Sequence, residues 1–135
     1  MSIELGQHKT NKANEALTIT AVGEPGPGGA HCRYEITGYK GETNPEASDS
    51  DDEIWLQAST ALLFQCGPLE EVGVNGITNE ALLAILAHRL RGFQSGPYSC
   101  KQNDAALAHV EAALGHLQAR TLERTARGVE GTHGL

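Results

Sequence analysis

The sequence is poor in what most functional classes require. No apolar run approaches the roughly 20 residues needed to cross a bilayer, and the opening MSIELGQHKT lacks the apolar core of a secretory signal. A soluble, cytoplasmic protein is the expectation. Basic residues are scarce: ten Lys and Arg against 17 Asp and Glu leave a net charge of −7. That argues against general nucleic-acid binding, because a protein that tracks phosphates carries a basic face. A small anionic ligand needs only a few local arginines. The three cysteines, Cys32, Cys66 and Cys100, form no CxxC pair and read as reduced thiols that serve as small packing residues. The six histidines supply no HExxH, and spacing suggests no cluster of Cys, His and Asp. The Gly-rich GPGGA has neither the Lys-Ser/Thr nor the helix start of a phosphate loop. No metal, no resident cofactor and no catalytic constellation are expected.

What is present divides the 135 residues into unlike halves. A chain of this length holds one domain with a hydrophobic core, and residues 1–66 carry nearly all of its net negative charge. EALTITAV (15–22) alternates Leu17, Ile19 and Ala21 with threonines, and HCRYEITG (31–38) alternates Cys32, Tyr34 and Ile36 with polar residues. Period 2 in residues of good strand propensity predicts two half-buried strands, and the Gly/Pro turn GEPGPGGA between them predicts a hairpin. TALLFQCG (60–67) reads as a third strand with Leu62 or Leu63 and Phe64 inward. The acidic stretch 41–53 has no apolar pattern and reads as an exposed, mobile loop. It lacks the Gly and closing Glu of a calcium-binding loop.

From residue 67 the period changes to that of a helix. Leu82, Leu86, Leu90 and Phe93 recur at helical spacing, widened by Leu83 and Ile85, with Thr78 or Asn79 as N-cap and Gly92 as a stop. FQSGPYSCKQ makes a tight connection. A second helix follows from about Lys101 to Arg127, where Asn103, Leu107, Val110, Leu114, Leu117, Thr121 and Arg124 step by 4 and 3 alternately, a coiled-coil seam. The fold class expected is α+β: a small N-terminal antiparallel β-sheet followed by a long antiparallel helical hairpin. Such a hairpin is too thin to bury both stripes alone, and should pack on the strands, on another copy, or on both.

Two polar residues, Asn103 and Arg124, occupy seam positions, where each is costly without a partner. Arg120, Arg124 and Arg127 share one side of the helix. This is either an anion-binding face or a solvated helix end favoured by the macrodipole. Asn103 and Arg120 are 17 residues apart, roughly 25 Å at 1.5 Å per residue, too far for one mononucleotide-sized ligand to touch both. If they share a ligand, they come from different chains of a two-fold dimer. Phe93 extends its helix's apolar stripe and so reads as core by default, yet an aromatic near Asn103 is also placed to stack on a purine.

Residues 67–133 resemble the helical-hairpin sponge proteins of phages, which comprise the Thoeris anti-defence sponges and their anti-CBASS relatives. GVNG, RLRGFQSGPYSC, Asn103 and RTLERTARGVEGTH carry the likeness. These proteins bind immune signalling nucleotides without cleaving them, and the strand-rich first half is similar in character to the Thoeris members. The resemblance implies a non-enzymatic protein in the cytoplasm of an infected bacterial host that sequesters a cyclic ADP-ribose isomer such as glycocyclic ADP-ribose, made by TIR-domain enzymes. It implies Phe93 and Asn103 as the base-recognising pair, Arg120 and Arg124 as the pyrophosphate clamp, and Thr132 in the GVEGTH tail as a ligand or dimer contact. It also implies a homodimer or a homohexamer, with neither membrane nor nucleic acid as partner. The alternatives are sequestration of CBASS cyclic di- or trinucleotides, hydrolysis of the signalling nucleotide, and a helical adaptor for a protein partner.

Overall fold

The computed structural model describes residues 1–47, 58–128 and 132. Its fold is α+β, with an antiparallel sheet in one compact unit, Met1–Cys66, and a helical hairpin in the other, Gly67–Leu135. The sheet is a meander of β1 (Ile3–Leu5), β2 (Thr18–Ala21), β3 (Arg33–Thr37) and β4 (Ser59–Leu63), neighbours in sequence being neighbours in space. Between β1 and β2 lies α1 (Lys12–Glu15), a single turn capped by the Asn11 side chain.

Period 2 explains which face is covered. Ile19 pairs with Ile36, Ala21 with Tyr34, and Tyr34 in turn with Leu62, so the apolar members of three strands line one side of the pleat. Ala21 is buried, at 3% exposure, and Phe64 extends the same face, its ring edge-on to Tyr34 with the centroids 5.6 Å apart. Of the two leucines offered for the inward position, Leu62 faces Tyr34 and Leu63 is 52% exposed. The third strand ends at Leu63 rather than running to Gly67, although the Phe64 amide still donates to the Cys32 carbonyl at 2.7 Å. In the acidic stretch, Gly41–Thr43 forms one 3-10 turn, and the Asn44 side chain accepts from the Glu46 amide. Its remainder from residue 48, for which a mobile loop is the expectation, lies outside the described residues.

Gly38, after β3, has φ +103°, and a Cβ there would run into the Ala16 carbonyl. Both the left-handed backbone and the close approach require glycine. Gly38→Ala is expected to destabilise the sheet unit by about 2 kcal/mol, read as a lower urea midpoint at unchanged slope.

The second unit contains α2 (Leu69–Val72), α3 (Asn79–Gln94) and α4 (Lys101–Ala126). Thr78 starts α3, its hydroxyl accepting from the Ala81 amide at 3.0 Å. Thr78→Ala should cost about 1 kcal/mol of stability, the usual size for a lost N-cap, measurable as a lower thermal midpoint. Gly92 does not end α3. The helix runs on to Gln94 and stops with Ser95 donating to Arg91, because Pro97 cannot continue the helix and constrains the residue before it.

α3 and α4 pack as a hairpin. On α4 every seam position from Asn103 to Arg124 is at least partly withdrawn from solvent, and the intervening residues are largely exposed. On α3 the covered stripe is rotated from the expected one. Ala87 is 1% exposed and is flanked by half-buried Leu83 and Leu90, whereas Ile85, Leu86 and Phe93 are exposed. Cys100 is also exposed. It is not a packing residue, since its sulfur caps α4 by accepting from the Asn103 amide at 3.4 Å.

Candidate functional site

α4 is one unbroken helix of 26 residues, roughly 39 Å long. The residues of interest therefore fall into two groups. At the turn end are Phe93, one residue before the close of α3, and Asn103, in the first turn of α4. At the far end are Arg120, Arg124 and Thr132. α3 has only 16 residues, so it runs out before the arginines are reached.

The turn end is fastened by one side chain. The Gln94 amide donates to the Cys100 carbonyl and its carbonyl accepts from the Cys100 amide, both at 3.1 Å. A side-chain amide presents a donor and an acceptor together, so it closes the turn as a strand partner would. Arg91 of α3 pairs with Glu111 of α4 at 3.4 Å and ties the helices a little further along. Phe93 is 43% exposed, and the Arg89 guanidinium lies 5.7 Å from its ring centroid. The cation holds one face of the ring by its quadrupole and leaves the rest of a rigid aromatic surface beside the turn. Asn103 is half-buried, with its backbone amide engaged by Cys100.

At the far end the three arginines have different surroundings. Arg120 is exposed. Arg127 caps the helix and pairs with Glu123 one turn back. Arg124 is the seam residue and is only 7% exposed. Its Nη2 donates to the Thr132 carbonyl at 3.3 Å, and Thr132 is itself half-buried. Thr132 thus lies against Arg124. Of the GVEGTH segment only Gly128 and Thr132 belong to the described residues. A guanidinium held in this way keeps several donors in a fixed planar fork, the geometry that matches two oxygens of a phosphate at once.

The structure therefore brings Arg124 and Thr132 together and sets Phe93 and Asn103 on the two sides of one turn. Within one chain it keeps the two groups apart by most of the length of α4. Arg89 and Gln94 were not among the residues singled out from the sequence. Arg89 was findable, since it lies four residues before Phe93 and an i, i+4 pair shares a helix face. Gln94 gave no signal, because its partners are backbone groups.

Residues 59–122 match the model of a family described as Acb2/Tad1, hairpin domain. The matched segment begins at β4, contains Phe93, Asn103 and Arg120, and stops short of Arg124 and Thr132. A curated protein named Thoeris anti-defense 1, from Bacillus phage SBSphiJ7, is 49% identical over 70 residues. That match takes in 52% of this chain and 49% of the phage protein, so the chain spans about half the length of the curated relative it matches.

Proposed function

From the premise that the chain belongs, through its second half, to the family of the Acb2/Tad1 hairpin domain, we propose that the protein is an anti-defence sponge. It captures a cyclic ADP-ribose isomer, glycocyclic ADP-ribose first among them, in the cytoplasm of an infected bacterium and holds it uncleaved. The observation that carries this reading is Arg124, a guanidinium drawn into the helix seam at 7% exposure. Taking a charge out of water is costly, and an acidic chain that holds a guanidinium there gains a local site for a diphosphate. Arg120 stands one turn earlier on the same helix and can close on the ligand from the solvent side.

The base end of the ligand falls to Phe93 and Asn103, by stacking and by amide hydrogen bonds. With the two groups at opposite ends of α4, a complete pocket takes Phe93 and Asn103 from one protomer and Arg120, Arg124 and Thr132 from its partner. An antiparallel, two-fold pairing of α4 helices makes two such pockets. The apolar surface left open on the hairpin, Ile85 and Leu86 on α3 and the 70% exposed Leu122 on α4, is in keeping with a hairpin that is completed by another copy. Sequestration asks for affinity and slow release, and so for no positioned base or metal.

The test is to incubate the purified protein with cyclic ADP-ribose isomers and with cyclic di- and trinucleotides, wash it, denature it by heat and identify what is released by mass spectrometry. Recovery of an intact cyclic ADP-ribose isomer is the expected result. Recovery of an intact cyclic oligonucleotide would transfer the function to the other branch of the family. Recovery of a cleaved product alone would make the protein an enzyme.

A further inference from the structure

Cys32 and Cys66 are 34 positions apart in sequence and side by side in the sheet unit. Phe64 continues the β3–β4 ladder by donating to the Cys32 carbonyl, one step past the last register pair, Arg33 with Leu63. Cys66, two residues on, therefore falls diagonally opposite Cys32 on the same face of the pleat. A tight turn, in which the Gly26 amide donates to the Ala30 carbonyl at 2.7 Å, brings Gly26 over both. A Cβ on Gly26 would lie 2.7 Å from Cys32 Sγ and 3.0 Å from Cys66 Sγ. The two sulfurs can be no further apart than those lengths laid end to end, and a side chain at position 26 would press on both. The Cys32 thiol is raised above its ordinary value, first by its hydrogen bond with Cys66, then by burial, then by the Cys66 charge. Both cysteines are half-buried, within reach of a small reagent, while Cys100 is exposed in the other unit.

We propose that Cys32 and Cys66 are a dithiol modification site, which closes to an intramolecular disulfide when the chain meets a low-molecular-weight disulfide such as oxidised glutathione. In the first step one protein thiolate attacks a sulfur of the reagent, breaks its S–S bond and releases one thiolate, which takes up the displaced proton. In the second the other protein thiolate attacks the protein sulfur of the mixed disulfide and expels the second thiolate. Two protein thiols are oxidised, and one reagent disulfide is reduced to two thiols. The new bond ties the start of β3 to the exit of β4 and encloses the long acidic connection between them. A cross-link over a loop of this length removes freedom from the unfolded chain, so the oxidised sheet unit should unfold at a higher temperature than the reduced one.

The full-length protein is incubated with oxidised glutathione, alkylated, digested without reduction and mapped by mass spectrometry. The expected outcome is a chain lighter by two hydrogens, with titratable thiols falling from three to one, and a Cys32–Cys66 cross-linked peptide that dithiothreitol dissolves. Cys100→Ser should close equally well, and Cys32→Ser should not close at all. Gly26→Ala presses a methyl group against both sulfurs and should slow closure several-fold while the far-ultraviolet circular dichroism is unchanged. Three thiols that glutathionylate independently, or a cross-link that enlists Cys100, would overturn the proposal. None of these outcomes bears on nucleotide capture, which lies in the other unit.

Discussion

Arg124→Ala is expected to weaken nucleotide binding by about 1.5 to 3 kcal/mol, the usual cost of losing a hydrogen bond to a charged group. In a calorimetric titration that is on the order of a 10- to 150-fold rise in Kd. Arg124→Lys keeps the charge but replaces a rigid fork with a single ammonium, and should recover only part of the loss. Arg124→Glu places a carboxylate against the phosphates and should abolish binding. The Arg124 side chain also donates to the Thr132 carbonyl, so the substitution removes that tie as well as the contact to the ligand. Arg120 separates the two contributions. Its side chain is exposed, so Arg120→Ala should leave the thermal midpoint in place while still raising Kd. Unchanged affinity in Arg124→Ala would remove that residue from the site.

The parts of this protein that were legible in its sequence are those where a periodic signal ran long enough to be unambiguous. α4 offers seven seam positions over 26 residues, and its bounds, its face and the placing of Asn103 and Arg124 on its seam all follow from them. β2 and β3 show the same economy at period 2, and their pairing places Ile19 against Ile36 as the alternation requires. α3 was readable as a helix but not in its orientation. Leu82, Leu83, Ile85, Leu86 and Leu90 cover so much of its circumference that no single stripe stands out, and the face against α4 is the one where small Ala87 allows close approach. β1 and α1 were missed because three and four residues are too few to show a period. β1 exists because Ile3, Glu4 and Leu5 find partners on β2. The cysteines show the same limit. Their spacing in sequence says nothing of Gly26, which brings the sulfurs of Cys32 and Cys66 to a common point.

A mixed-subunit experiment has the larger consequence, since it asks whether the pocket exists in one chain at all. Asn103→Ala and Arg124→Ala lie at opposite ends of α4, roughly 30 Å apart along the helix. Alone, each should lower binding in every pocket of its own homodimer. Co-expressed in equal amounts and assorting at random, the two variants form mixed dimers about half of the time. In a mixed dimer of the proposed geometry, one pocket receives both lesions and the other receives neither. The mixture should therefore bind ligand at full affinity in about a quarter of its pockets, seen as a tight phase in a titration where either variant alone shows only weak binding. A pocket built within one chain admits no such rescue, because every chain in the mixture carries one lesion. Restoration would fix the division of labour between the aromatic end and the arginine end. It would also explain why an acidic protein concentrates its arginines at the end of a helix, where one copy alone leaves them without a base-binding surface to face.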